Sequence, residues 1–150
     1  MTSIFTFPKK EHLCGEIRIA KLYAQGKAFI VYPLRVVYSI NVEVAQEPVK
    51  VLISVPKKRF KKAVDRNRIK RLMRETYRLN KNSLITKATE NELTLQIAFN
   101  YVADSEIDYS TLNRKMEKAL NQIAEKLNSK FVIEKTHSSY CITSGIFLPL

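Results

Sequence analysis

Ala63-Val64-Asp65-Arg66-Asn67-Arg68-Ile69-Lys70-Arg71-Leu72-Met73-Arg74-Glu75-Thr76-Tyr77-Arg78-Leu79-Asn80 is strongly basic, and it keeps a helical rhythm. Asn67, Lys70, Arg71, Arg74 and Arg78 recur at spacings of three and four, which places them on one stripe of an α-helix. Ile69, Leu72, Met73, Thr76 and Leu79 fall on the opposite side, a face broad enough to pack on a core. Arg66 and Arg68 flank the stripe on either edge. Only Glu75, on the far margin, interrupts the cations, so the stripe is not a mesh of i,i+4 ion pairs. The plain reading of a charged helix is a solvated face. A row of cations without interleaved acids reads instead as a surface for nucleic acid.

The surrounding charge supports that choice. From Lys57 to Lys81 there are twelve Lys or Arg against Asp65 and Glu75, so this segment holds +10 of a formal net charge of +12. Folding has no use for such a concentration, because like charges repel. A polyanion does, since each cation that meets a phosphate releases condensed counterions.

Upstream of the helix, Val49 to Val55 is a short apolar strand that Pro56 ends, and Lys57-Lys58-Arg59-Phe60-Lys61-Lys62 is a basic loop. Gln46-Glu47-Pro48 signals a turn. Ala28 to Val44, rich in Val, Ile, Tyr and Phe and broken by Pro33, reads as one or two strands. Leu13 to Gln25, with Leu13, Ile17, Ala20 and Leu22 apolar and Gly26 as a stop, reads as a first helix. Downstream, Lys81 to Glu92 is polar, and Leu93 to Phe99 alternates with period two as a strand. Asp108 to Asn128 carries Leu112, Met116, Leu120, Ile123 and Leu127 at spacings of four, four, three and four, an amphipathic helix. The predicted order is α-β-β-β-α-β-α, an α+β, two-layer α/β sandwich with helices over a mixed sheet.

With 150 residues, 45% of them hydrophobic, the chain is long enough for one core and short for two. We assign residues 1–130 to one domain. Residues 131–150 form an apolar C-terminal extension, without Lys, Arg, Asp or Glu from Thr136 onward, that either joins the domain or stays disordered. No signal peptide or run of about twenty apolar residues is present, so the expected setting is cytoplasmic, with no membrane partner. Cys14 and Cys141 lie far apart, without metal-ligand spacing, and read as reduced thiols.

Protein-borne catalysis finds little support. His12 and His137 stand alone in the terminal regions, and the three glycines make no phosphate loop. Asp104, Glu106 and Asp108 alternate, so an extended segment would put them on one side, where they could hold a hydrated Mg²⁺. The plainer reading is a solvated loop before the last helix. No metal site is assigned and no catalytic residue, which leaves a nucleic-acid binder.

One family carries these residues. Ile53-Ser54-Val55-Pro56-Lys57-Lys58 followed by Ala63 to Glu75 closely resembles the signature of the protein component of bacterial ribonuclease P: a strand ending in Ser-Val-x-Lys-Lys, a basic loop, and an Arg-Asn-Arg helix continued by Ile-Lys-Arg-x-x-Arg. The resemblance implies a left-handed crossover in the strand–basic-helix–strand unit, against the usual right-handed prior. It implies that a catalytic RNA subunit, with Mg²⁺ bound mainly by that RNA, removes the 5′ leader from precursor tRNA. The protein then assists as a non-catalytic subunit of an endoribonuclease. Lys57, Lys58, Arg59, Arg66, Asn67, Arg68, Lys70, Arg71 and Arg74 match the face toward the ribonuclease P RNA. A cleft between the first helix and the sheet, holding the single-stranded leader, maps to Ile19, Tyr23, Val36 and Tyr38. Ile19 departs from the family, which often has an aromatic there. The competing assignments are a ribosomal or double-stranded-RNA module using the same helix, and a free-standing protein nuclease.

Overall fold

The computed structural model describes residues 7–42 and 46–147, with side chains described as far as Asn128. After a 3-10 turn at Lys9–Glu11 come α1 (Glu16–Gln25), β1 (Lys27–Val31), β2 (Leu34–Asn41), β3 (Val49–Ser54), α2 (Ala63–Asn80), α3 (Asn82–Glu90), β4 (Thr94–Tyr101) and α4 (Tyr109–Phe147). One mixed sheet runs in the order β1-β2-β4-β3. β1, β2 and β4 pair antiparallel, while β3 lies parallel to β4, so the segment carrying α2 and α3 is the crossover between parallel neighbours.

The sheet separates two apolar clusters, as the period-two geometry of its strands requires. On one face Val31, Leu34, Val36, Tyr38, Val51, Leu95, Ile97 and Phe99 meet Ile69, Met73 and Tyr77 of α2, Leu84 and Ala88 of α3, and Leu112, Met116, Leu120, Ile123 and Leu127 of α4. On the other face Val37, Ala98 and Leu52 lie under Leu13, Ile19 and Leu22, so α1 alone crosses that side. The α+β mixed sheet is as expected. Two elements differ. The polar stretch from Lys81 to Glu92 holds α3, whose Leu84 and Ala88, one turn apart, are fully buried. The last helix continues to Phe147, so the backbone of most of the apolar extension is helical.

α1 starts at Glu16, after Leu13, and leaves Ile17 86% exposed, so the apolar face is Ile19 and Leu22 rather than Ile17 and Ala20. It stops at Gly26, whose amide donates to the Leu22 carbonyl at 2.7 Å. Gly26 is needed for space: its φ is −73°, but a Cβ would stand 2.4 Å from the Leu22 carbonyl oxygen and 3.0 Å from that of Tyr38. Gly26→Ala should therefore destabilise the fold by about 1–3 kcal/mol, as overpacking does. An unchanged thermal midpoint would contradict this close approach.

The far end of α2 is held by the chain's beginning. Lys81 Nζ donates to Glu11 Oε2 at 2.7 Å, with side chains 3% and 12% exposed. Phe7 stacks on His12 and meets the Tyr77 ring edge-on. Leu13 N–H bonds the Val51 carbonyl at 2.9 Å, which occupies part of the free edge of β3.

Candidate nucleic-acid interface

α2 forms with the bounds expected, and its buried arc decides what it shows to solvent. Ile69, Met73, Thr76 and Tyr77 are the buried residues. Tyr77, whose phenol is pushed up by burial, swings this arc toward the Lys70 side. Leu72 is consequently half-buried, and Leu79, expected inside, is 40% exposed. Asn67, Arg71 and Arg74 are exposed and Lys70 is half-buried at the stripe's edge. None of these four side chains makes an ion pair or hydrogen bond to a described residue, and the same is true of Lys57 and Lys58 in the preceding loop.

The other arginines of the basic segment, Arg59, Arg66, Arg68 and Arg78, are engaged. Arg66 turns back, and its Nη1 donates to the carbonyls of Phe60 (2.8 Å) and Lys61 (2.9 Å), tying the loop to the first turn of α2. Arg59 pairs with Asp104, and Arg68 Nη1 reaches Glu106 Oε1 at 3.1 Å. Arg78 Nε donates to Glu75 Oε2 at 3.1 Å, which holds the Glu75 carboxyl below the usual carboxylate range. Asp104, Glu106 and Asp108 thus serve three separate partners. Asp108 accepts the Thr111 amide at 3.0 Å, as a helix N-cap does, and hydrogen bonding from Thr111 lowers its pKa. Arg66→Ala should loosen the loop and destabilise the protein by about 1–2 kcal/mol, the usual cost of removing donors and leaving a carbonyl unsatisfied. Full retention of stability would show that Arg66 is free for a ligand after all.

The cleft needs correcting. Val36 and Tyr38 point away from α1: they are 0% and 4% exposed in the large core. Register explains it. Val36 lies between Phe29 and Phe99, and these rings face the three-helix layer. Val37 lies between Ala28 and Ala98, whose small side chains leave room for α1. The sheet row beside α1 is Ile30, Arg35, Asn100 and Ser54, all on the α1 face. Tyr23, 43% exposed, donates from its hydroxyl to Asn100 Oδ1 at 2.7 Å; Ile30 is 67% exposed. Ile19, on the sheet-facing side of α1, is half-buried against the smaller cluster. The strip thus joins an exposed aromatic, an exposed apolar side chain and a cation, at the end of β3 that leads through Pro56 to Lys57 and Lys58. Sequence reasoning missed Arg35, Ile30 and Asn100, although Arg35 in an apolar run is a signal that this parity meets solvent.

Among the described residues no helix is long and apolar enough to cross a membrane. The fold and its surface define a small basic α+β protein with a partly open sheet face and a helix whose Lys70, Arg71 and Arg74 have no ion-pair partner among the described residues. The family model for ribonuclease P matches residues 7–124. The ribonuclease P protein component of Porphyromonas gingivalis is 46% identical over 131 residues, covering 86% of this chain and 96% of its own. That of Chlorobaculum tepidum is 41% identical over 103 residues, 64% of this chain and 67% of its own. In fold, the chain resembles the RNase P protein of Staphylococcus aureus (TM-score 0.58, 20% identity, 75% of this chain and 94% of the other). It also resembles that of Thermotoga maritima (TM-score 0.58, 21% identity, 74% and 96%). The chain belongs to the ribonuclease P protein family.

Proposed function

We propose that this chain is the protein subunit of ribonuclease P, docking on a catalytic RNA through α2 and holding the 5′ leader of precursor tRNA against the sheet strip beside α1. The observation that carries the reading is the stripe Asn67, Lys70, Arg71 and Arg74, which lacks carboxylate partners among the described residues. Guanidinium groups free of internal partners can fork onto phosphate oxygens. Lys57 and Lys58 extend the same cationic surface toward the strip.

On the strip, Tyr23 and Ile30 offer a face for bases and Arg35 a cation for the backbone. Stacking accepts any base, which suits leaders that differ from one tRNA to the next. The RNA supplies the chemistry with its own Mg²⁺, and the protein raises substrate affinity and lessens the Mg²⁺ needed. Such a subunit works in the cytoplasm, where precursor tRNA is made.

Reconstitution tests this. Mixed with the ribonuclease P RNA of its host and precursor tRNA at low Mg²⁺, the protein should raise cleavage at the leader junction well above RNA alone. No rise would refute the assignment and leave a basic RNA-binding module; cleavage by protein alone would make it a nuclease.

A further inference from the structure

We propose that Glu75, Asp104 and Glu106 form an electrostatic fence along one margin of α2, confining a docking RNA to the unpaired cations of the stripe. This rests on α2 being the RNA-docking helix. Asp104 and Glu106 lie two residues apart in the segment between β4 and α4, and each reaches a different arginine of the basic region: Asp104 meets Arg59, and Glu106 meets Arg68 at 3.1 and 3.4 Å. Glu75 follows Arg68 by seven residues, two helical turns, and so stands on the same margin. It draws the Arg78 guanidinium toward itself through two hydrogen bonds. Three guanidinium groups are thus each matched by a carboxylate on one side, while Asn67, Lys70, Arg71 and Arg74 have none among the described residues.

Stability does not explain the arrangement. Ion pairs this exposed contribute little to folding, and the Asp104 side chain is 87% exposed. A carboxylate here occupies donors that a phosphate would otherwise take, and it repels the phosphate as well. Repulsion of wrong partners is how charged interfaces gain specificity. An arbitrary polyanion profits from every free guanidinium in any register, so the fence costs it everywhere. An RNA whose fold lays its phosphates only over the open stripe never crosses that margin.

The test compares wild type with the triple variant Glu75→Gln, Asp104→Asn, Glu106→Gln, and with Glu106→Gln alone, after circular dichroism shows each folded. Binding to the host ribonuclease P RNA and to an unrelated perfect RNA duplex is titrated across a series of salt concentrations. For the duplex, the triple variant should bind at least about fivefold tighter. Its log–log salt slope should steepen by about 2, since each additional phosphate neutralised adds roughly 0.7–0.9. Affinity for the ribonuclease P RNA should change less than about twofold, and the single variant should move the same way by a smaller step. Unchanged or weakened duplex binding, or an equal gain for both RNAs, overturns the fence. Wild-type protein that binds neither RNA in a salt-dependent way overturns the docking role of α2 itself, and that result is visible before any variant is compared.

Discussion

Replacing Lys70, Arg71 and Arg74 together by alanine should weaken binding to the ribonuclease P RNA by about two orders of magnitude. A typical hydrogen bond nets about 1 kcal/mol, so losing three contacts that stay open to solvent costs about 3 kcal/mol, and about 1.4 kcal/mol is tenfold in affinity. The salt slope should flatten by roughly 2, at about 0.7–0.9 for every phosphate left without its cation. Thermal stability should hold, because these side chains make no ion pair with a described residue. That combination separates them from Arg66, whose removal should lower stability first. If affinity and slope stay at wild-type values, the stripe is only a solvated face.

The second large effect concerns the two tyrosines that sequence alone would treat alike. Tyr38→Ala should destabilise the protein by about 3–5 kcal/mol, the range for removing a large ring from a core. Tyr38 is 4% exposed, meets Phe29 edge-on and lies under the Lys126 ammonium at 5.1 Å. Its removal should reduce the affinities for precursor and mature tRNA together, in step with the folded fraction. Tyr23→Ala should leave the fold nearly intact and weaken only leader-bearing precursor, by about tenfold, within the roughly 1–3 kcal/mol of one stacked base. Equilibrium unfolding, paired with binding of both tRNA forms, distinguishes the cases. A leader-specific effect in Tyr38→Ala with normal stability would restore it to the cleft.

Legibility followed the strength of each periodic signal. α2 appears at its expected bounds because eighteen residues carry an unbroken 3.6-residue pattern. α3 escapes a sequence reading because only Leu84, Ile85 and Ala88 mark its apolar side, and a single residue, Lys81, divides it from α2. β2 is evident as a strand but its facing is not: Leu34-Arg35-Val36-Val37-Tyr38 is apolar at both parities near its middle, so alternation cannot tell core from cleft. The decision lies in cross-strand neighbours, rings beside Val36 and alanines beside Val37, and no single strand contains that information. Partnering is equally hidden. Nothing local to Arg66 or Arg68 says that one ties down a loop while the other meets a carboxylate thirty-eight residues away.

The docking role of α2 is tested most directly by tethered cleavage. In a Cys14→Ser, Cys141→Ser background, an iron chelate would be attached to Asn67→Cys on the stripe or to Lys118→Cys on the exposed side of α4. Radicals released from position 67 should cut the ribonuclease P RNA at a compact set of nucleotides, and those from position 118 should cut little. Strong, localised cutting from 118 with none from 67 would contradict the account.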